Sequence, residues 1–204
     1  MMNVREEASE WIRVGVVVAV WSTLLYISKM GLEINWDSVK ELPTVISVYA
    51  TLSYVFAKWL WRMPALQGWL VPYPDLQGTW QGEVRLAGKD SDSDPSVAVP
   101  VVLVIKQTLA SLSITMHTIT SDSYSTAAQF SRNADGTLRL TYNYTNRPKA
   151  AIRDRFTIHD GAAILRVVLR PKRVLEGEYW TNHRTMGSIS VRFRSRNLME
   201  GFPD

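Results

Sequence analysis

The sequence predicts a membrane-anchored all-β protein: two N-terminal transmembrane helices followed by a small antiparallel up-and-down β-barrel of about eight strands. Three observations support this fold class. Two long runs without charge lie near the N-terminus, a proline-rich segment follows them, and from Gln77 onward polar and apolar side chains alternate with a period of two. We therefore expect a two-helix anchor over residues 1–62, a linker over 63–76 and a β-barrel over 77–204.

The average composition of the chain conceals this division. The chain has 204 residues, of which 46% are apolar and 21% charged, with no cysteine and a formal net charge of +4. Residues 1–74 contain six basic and six acidic side chains, so the net positive charge belongs entirely to residues 75–204. This composition excludes a disordered chain and a disulfide scaffold, and the lack of cysteine excludes a thiolate metal site.

The anchor is predicted from two uncharged runs, residues 14–28 and 42–57. Each is shorter than the roughly 20 residues that a helix needs to cross a bilayer core. The flanking Lys and Arg can reach the interface while their stems stay in hydrocarbon, which extends the predicted spans to 11–32 and 42–61. The alternative is a pair of core helices in a soluble protein, but such helices normally show a polar face with a period of 3.6.

The basic residues around these spans predict their orientation. The loop between the spans is short and net negative, whereas Lys58 and Arg62 follow the second span and lead into the basic barrel. Because basic residues favour the cytoplasmic side of a membrane, we expect both termini and the barrel to lie in the cytoplasm.

The barrel is predicted from nine short segments with alternating polarity. They cover residues 78–87, 97–107, 111–119, 123–132, 137–146, 151–159, 162–170, 174–182 and 186–195. Short connections favour an up-and-down barrel, while a two-sheet sandwich, the alternative, needs longer cross-connections. Nine is an awkward number for closure, so we expect one segment to be irregular or shared, and residues 151–159 alternate least.

No catalytic motif is present in the sequence. It lacks the G-x-S-x-G, H-E-x-x-H, P-loop and G-x-G-x-x-G patterns. The three histidines, His117, His159 and His183, are far apart and show no ligand spacing. We therefore predict that the protein is not an enzyme and that it binds no metal and no cofactor.

Tyrosines supply the predicted binding surface. The alternation places all four tyrosines of the barrel on faces shared with apolar residues, and Thr181 lies on the same face as Tyr179. A buried phenol needs a hydrogen-bond partner. Such an interior suits a ligand with rings and polar edges, or a packed core whose hydroxyls point out of one end, and both remain open.

Arginines in the turns complete the predicted site. In an up-and-down meander, alternate turns lie at the same end, so on the nine-strand count Arg147 shares an end with Lys172 and Arg173, and Arg184 lies at the opposite end. Arginines around an aromatic mouth suit a phosphorylated, ring-bearing ligand. The predicted ligand-binding residues are Tyr124, Tyr142, Tyr144, Arg147, Tyr179, Thr181 and Arg184.

Two segments and the overall plan resemble a known family. The segments are L-Q-G-T-W-Q-G at residues 76–82 and G-E-Y-W-T-N-H-R-T-M-G at 177–187. Over nearly its whole length the chain resembles the SMODS-associating two-transmembrane, β-strand-rich effectors of bacterial CBASS cyclic-oligonucleotide anti-phage defence. Neither segment is as specific as a metal motif, and G-x-W also opens lipocalin barrels.

This resemblance implies a function. The barrel would bind a cyclic dinucleotide made by a partner nucleotidyltransferase, and the ligand would drive homo-oligomerisation in the bacterial inner membrane. Disruption of the bilayer would then kill the infected cell. Neither DNA nor RNA is expected as a partner. The alternatives are a membrane-tethered, lipocalin-like carrier of a small apolar ligand and a structural protein with a fully packed barrel.

Overall fold

The chain divides into two compact units, Met1–Pro74 and Asp75–Asp204. The computed structural model describes residues 42–67, 71–87, 98–154 and 156–203. The predicted helix over residues 11–32 lies outside the described residues.

The described part of the first unit contains one α-helix, α1 (Leu42–Lys58). The hydroxyl groups of Ser47 and Thr51 donate to the carbonyl oxygens of Pro43 and Ser47, at 2.7 and 2.8 Å. These bonds satisfy the hydroxyls within the helix itself. Two short 3₁₀ turns, Leu60–Arg62 and Pro64–Leu66, follow α1. Across the residues that the structure describes, no helix has both the length and the apolar character required to cross a membrane.

The second unit is a closed antiparallel barrel, as the sequence predicts. Its strands are β1 (Gly78–Leu86), β2 (Ala98–Gln107), β3 (Leu112–His117), β4 (Ser121–Arg132), β5 (Leu138–Pro148), β6 (His159–Val168), β7 (Val174–Thr181) and β8 (Met186–Ser195). Each strand pairs with the next one along the chain, and β8 pairs with β1 to close the barrel. The sandwich is therefore excluded.

The predicted strand over residues 151–159 is wrong. Residues Ala150–Ile152 form a 3₁₀ turn, and β5 pairs directly with β6, which leaves no edge for a strand between them. The physical reason is poor alternation. Phe156 and Ile158 are both more than half exposed, so a strand here would have no buried face to stabilise it. The barrel therefore has eight strands rather than nine.

The eight strands give the barrel two distinct ends. We call the end where β1 begins the proximal end; the turns β2–β3, β4–β5 and β6–β7 lie there too. The distal end carries the connections β1–β2, β3–β4, β5–β6 and β7–β8.

Packed side chains fill the proximal end. Trp80 is fully buried, meets Phe193 edge to face at 5.3 Å between ring centroids, and donates its indole N–H to the Leu76 carbonyl oxygen at 2.9 Å. The Arg173 guanidinium lies 4.1 Å from the centroid of Phe193. Burial is the main cause that lowers the pKa of Arg173, followed by the nearby charge of Arg196. Aromatic and cation–π packing thus closes this end of the barrel.

The C-terminal segment covers the outer face of β1 near this end. Thr79 is fully buried, and its hydroxyl donates to the Asn197 carbonyl oxygen at 2.5 Å while accepting from the Met199 N–H at 3.1 Å. Arg196 pairs with the buried carboxylate of Asp75 at 2.5 Å. These contacts tie the last residues of the chain to its first strand.

Candidate ligand-binding mouth

Three tyrosines line the inner face of the barrel on its distal side. In the strand register, Tyr142 lies opposite Ala163, Tyr144 opposite Gly161, and Tyr179 opposite both Ala163 and Gly187. Tyr142 and Tyr144 are buried, and Tyr179 is half-buried. The sequence placed these three phenols on the inner face, and the structure confirms that position.

Glycines on the neighbouring strands make room for two of these rings. A Cβ atom added at Gly161 would lie 2.5 Å from both Cζ and the hydroxyl oxygen of Tyr144. A Cβ atom added at Gly187 would lie 2.7 Å from Cε1 of Tyr179. Each ring therefore rests against a strand position where a larger side chain does not fit, and this contact fixes its orientation. Tyrosine opposite glycine was the feature that could have revealed this arrangement in the sequence.

The buried phenols are neutral hydrogen-bonding groups. Burial, followed by the proximity of Tyr144, raises the pKa of Tyr142 well above its usual range. Burial, followed by the proximity of Tyr179, raises the pKa of Tyr144 to about 12. Burial also raises the pKa of Tyr179. At neutral pH all three side chains can donate or accept a hydrogen bond without carrying charge.

Tyr142 is the deepest of these polar groups. Its ring centroid lies 5.8 Å from that of Tyr144, and the two rings are inclined at 45°. Its hydroxyl is buried and has no hydrogen-bond partner within the described part of the chain. Buried hydroxyls are normally paired, so this oxygen marks a polar position inside the barrel that a ligand could satisfy.

The prediction that Tyr124 lies on the inner face is wrong. Tyr124 pairs with Thr145 on the outer face of the barrel and is 45% exposed. The register shifts between Ser125 and Ala127, where a β-bulge adds a residue to β4. Because a bulge reverses the in–out alternation, Ala128 and Phe130 point inward while Tyr124 points outward. A strict period of two could not reveal this shift.

Thr181 is on the inner face, but its hydroxyl organises the β7–β8 turn. It bonds the Thr185 hydroxyl at 2.6 Å and accepts from the backbone N–H of His183 at 3.2 Å. Arg184 occupies the turn with a left-handed φ of 61°. Thr181 therefore positions His183 and Arg184 at the distal opening of the barrel, which we call the mouth.

Arg147 and Arg184 share the distal end, contrary to the sequence expectation. With eight strands, the connection after β5 and the turn after β7 lie at the same end, whereas Lys172 and Arg173 lie at the proximal end. The false strand over residues 151–159 reversed the order of every later turn. Arg147 is exposed on the outer side of the rim, opposite Asp122 in the register, and Arg184 is exposed at the turn. The structure thus brings two of the predicted cations to the tyrosine-lined end.

His159 and His183 are far apart in the sequence, but their rings lie next to each other at the mouth. The rings of His159 and His183 lie 5.1 Å apart between centroids, at an angle of 37°. His159 pairs in register with Asn146, whose side-chain oxygen accepts a hydrogen bond from Ser123 at 2.8 Å. An amide, a hydroxyl and an imidazole therefore lie at the inner positions that follow Tyr144 towards the distal end, and the second imidazole packs against the first. The long sequence separation of the two histidines hid this pair.

A cleft of about 580 Å³ opens between the end of β1 and the β7–β8 hairpin. Tyr179 and Gly187 line it, together with Leu86, Trp180 and Met186. The last three side chains are exposed at the rim. Tyr179 therefore connects the interior of the barrel with a surface that solvent reaches.

Metal binding has no support in the described residues, where no group of three or more His, Asp or Glu side chains could hold an ion. The third histidine, His117, instead pairs with Asp122 at 2.6 Å.

A closed barrel that is packed at one end and lined with tyrosine at the other suits a receptor for a small ligand. A family comparison makes this class more specific. Residues 71–192, which span nearly all of the barrel, match the family model described as Cap15, cyclic dinucleotide receptor domain, and the chain belongs to this family.

A relative found by sequence search agrees with this assignment. CD-NTase-associated protein 15 of Escherichia albertii is 23% identical to the chain over 171 residues, which cover 83% of each protein. Together the two matches confirm the resemblance to CBASS effectors that the sequence indicated, and they support a role in sensing a cyclic dinucleotide.

Proposed function

We propose that this protein is a membrane-anchored receptor whose barrel binds a cyclic dinucleotide at the distal mouth and thereby activates an anti-phage effector. The observation that carries the proposal is the set of inner tyrosines that continues into an open end bearing His159, His183 and Arg184. Family membership supports the ligand class. The barrel has a binding role and no catalytic role, and it needs no cofactor beyond the activating ligand.

The chemistry of the mouth matches the parts of a cyclic dinucleotide. Its bases offer flat rings that stack on aromatic side chains, a contact worth about 1–3 kcal/mol per base. Tyr144, Tyr179 and the two imidazoles offer such surfaces. The two phosphates of the ligand carry negative charge, which Arg184 and Arg147 can pair with at the rim. The neutral phenol hydroxyls can read polar base edges without the cost of burying a charge.

The carrier of a small apolar ligand is less consistent with this interior. Leu140, Leu165, Leu175 and Ile189 are almost completely buried, so apolar side chains already fill the middle of the barrel. The polar groups concentrate at the mouth. An apolar ligand would leave the buried hydroxyl of Tyr142 without a hydrogen-bond partner, which costs affinity.

Effector activity is the second part of the proposal. The uncharged runs at residues 14–28 and 42–57 anchor the protein in the bacterial inner membrane, with both termini and the barrel in the cytoplasm. A nucleotidyltransferase supplies the ligand after infection. Binding drives homo-oligomerisation, and the assembled anchors disrupt the bilayer and kill the cell before the phage matures.

Thermal unfolding of the purified full chain against a panel of cyclic dinucleotides tests the receptor. A true ligand at 100 times its Kd stabilises the folded state by about 2.7 kcal/mol. Arg184→Ala and Tyr179→Ala should reduce this effect, whereas Tyr124→Ala on the outer face is the matched control and should keep it. If no member of the panel raises the unfolding temperature, the receptor proposal fails.

Growth assays test the effector separately. Co-expression with an active nucleotide cyclase should arrest growth, while the same chain with an inactive cyclase should not. A chain that binds the ligand in vitro but causes no arrest would remove the effector role and leave the receptor.

A further inference from the structure

The positive charge of the barrel is concentrated at one end. In the part of the barrel that the structure describes, the proximal half carries the basic residues Lys106, Arg132, Arg139, Arg166, Arg170, Lys172, Arg173, Arg192, Arg194 and Arg196 against the acidic residues Asp75, Asp135, Glu176 and Glu200. The distal half carries Arg85, Arg147, Lys149, Arg153 and Arg184 against Glu83, Asp122, Asp154, Asp160 and Glu178. The distal half is therefore balanced, and the proximal half holds the excess of positive charge.

Much of this excess forms one surface, which we call the basic face. It lies on the outer side of strands β5 to β8 and on the β6–β7 turn, and it consists of Arg139, Arg166, Arg170, Lys172, Arg192 and Arg194. Arg139 lies directly across from Arg166 in the register, and Arg192 lies across from Val174. Neighbouring strands are about 4.8 Å apart, so Arg139 and Arg166 adjoin each other, whereas β7 separates them from Arg192 and Arg194 on β8.

The basic face is exposed, and nearby acidic side chains offset only part of its charge: Asp135 interacts electrostatically with Arg139. All six side chains are exposed, and none of them forms an ion pair with another described residue. Glu176 lies across from Arg166 in the register without pairing to it. The like charges of Arg139 and Arg166 on adjacent strands repel each other, so this pair lowers stability unless an anionic partner offsets the repulsion.

We propose that the basic face docks on the anionic headgroups of a phospholipid bilayer. This proposal rests on the membrane anchoring put forward above. The turn at the centre of the face favours a lipid surface over other polyanions, because the exposed Leu169 lies beside Arg170 and Lys172. An apolar side chain flanked by cations inserts at the headgroup boundary while the cations contact phosphates.

The topology makes this docking compatible with ligand binding. The predicted linker, residues 63–76, leads along the chain into β1 at the proximal end, where the basic face lies. The ligand mouth is at the other end of the barrel. A bilayer that contacts the basic face consequently leaves Tyr179 and Arg184 accessible from the aqueous side.

Fluorescence of the full chain in lipid nanodiscs tests the docking. The natural sequence has no cysteine, so Leu169→Cys can be labelled uniquely with a polarity-sensitive dye, and Thr120→Cys in the distal β3–β4 turn provides the control probe. Nanodiscs of phosphatidylcholine are compared with nanodiscs that contain phosphatidylglycerol. We expect a blue shift at position 169, not at 120, in the anionic nanodiscs only, and its reversal at high salt.

Charge variants identify the surface. Because each basic residue near an anionic bilayer contributes about 1 kcal/mol, Arg166→Gln combined with Arg192→Gln should lower the ratio of docked to undocked protein on the order of 30-fold. Lys149→Gln combined with Arg153→Gln removes the same charge from the distal end and should leave docking unchanged. Equal emission in both lipids, or an unchanged signal in the first pair, would overturn the proposal.

Two other outcomes separate the docking proposal from the anchor proposal and from binding of nucleic acid. If the chain does not enter phosphatidylcholine nanodiscs, the anchor proposal fails, and the same probe then reports binding to vesicles of either lipid added from solution. If duplex RNA shifts the emission at position 169 and anionic lipid does not, the basic face belongs to nucleic acid and the lipid proposal is wrong. Ligand-induced thermal stabilisation remains an independent readout of the receptor.

Discussion

Tyr142→Phe should stabilise the unliganded protein while weakening its binding of the ligand. The Tyr142 hydroxyl is buried in the core cluster and has no partner among the described residues. Phenylalanine keeps the ring, which packs 5.8 Å from the ring of Tyr144 between centroids, and removes only the oxygen. The substitution therefore separates the cost of burying a polar atom from the benefit of ring packing.

The magnitude follows from the cost of an unpaired buried hydroxyl. Leaving such a group without a hydrogen bond costs about 1–3 kcal/mol, so its removal should raise the free energy of unfolding by about 1 kcal/mol or more. For a domain of this size, that gain corresponds to an increase of roughly 3–6 °C in Tm. If a ligand atom bonds this hydroxyl in the complex, the variant loses about 0.5–1.5 kcal/mol of binding, or roughly 2- to 13-fold in Kd.

Urea unfolding of the full chain without ligand, followed by ligand titration, measures both effects. Tyr144→Phe is the matched control for the unfolding experiment, because it removes a phenol oxygen at the next inner position of the same strand. A Tyr142→Phe variant that is less stable than the natural protein would contradict this prediction, since the Tyr142 hydroxyl of the natural protein would then be satisfied in the folded state. Unchanged affinity would show that the ligand does not reach this depth.

Two further predictions concern the neighbouring tyrosine. Gly161→Ala would place Cβ 2.5 Å from the Tyr144 hydroxyl, so it should lower the free energy of unfolding by about 1–3 kcal/mol and weaken ligand binding. Gly201→Ala is the control, because a Cβ atom there meets open space. In the same unfolding and titration experiments it should change neither quantity. Alkaline pH should also destabilise the barrel: burial raises the pKa of Tyr144 to about 12, so above pH 10 the unfolded chain releases this proton before the folded one. Stability should then fall with a slope of up to about 1.4 kcal/mol per pH unit until pH 12, and the decrease should be smaller in Tyr144→Phe; equal pH profiles for the two proteins would contradict this assignment.

Most of the barrel could be predicted from the sequence because alternation is a local property. Strands such as β5 and β8 have one dry and one wet face, and their burial repeats every second residue. Residues 151–159 were misassigned because their weak alternation was still read as a strand, although no neighbouring edge was available. Strand pairing depends on the whole sheet, and a single sequence does not contain it directly.

The positions of the candidate site residues in the barrel were predicted only in part, for two physical reasons. A single added residue in β4 reversed the face of Tyr124, and one false strand exchanged the ends of Arg184 and Lys172. The inner positions of Tyr142, Tyr144 and Tyr179 were correct because no bulge interrupts β5 or β7. Contacts between distant segments, such as that between His159 and His183, require the closed barrel before they exist.

Calorimetric titration of the purified full chain with cyclic dinucleotides is the most direct test of the proposal that the barrel binds them. We expect saturable binding of at least one cyclic dinucleotide, weakened by Tyr144→Ala and Arg184→Ala and unchanged by Tyr124→Ala. The same affinity in all four proteins would place the ligand away from the distal mouth. Failure of every cyclic dinucleotide to bind would contradict the claim that this barrel is their receptor.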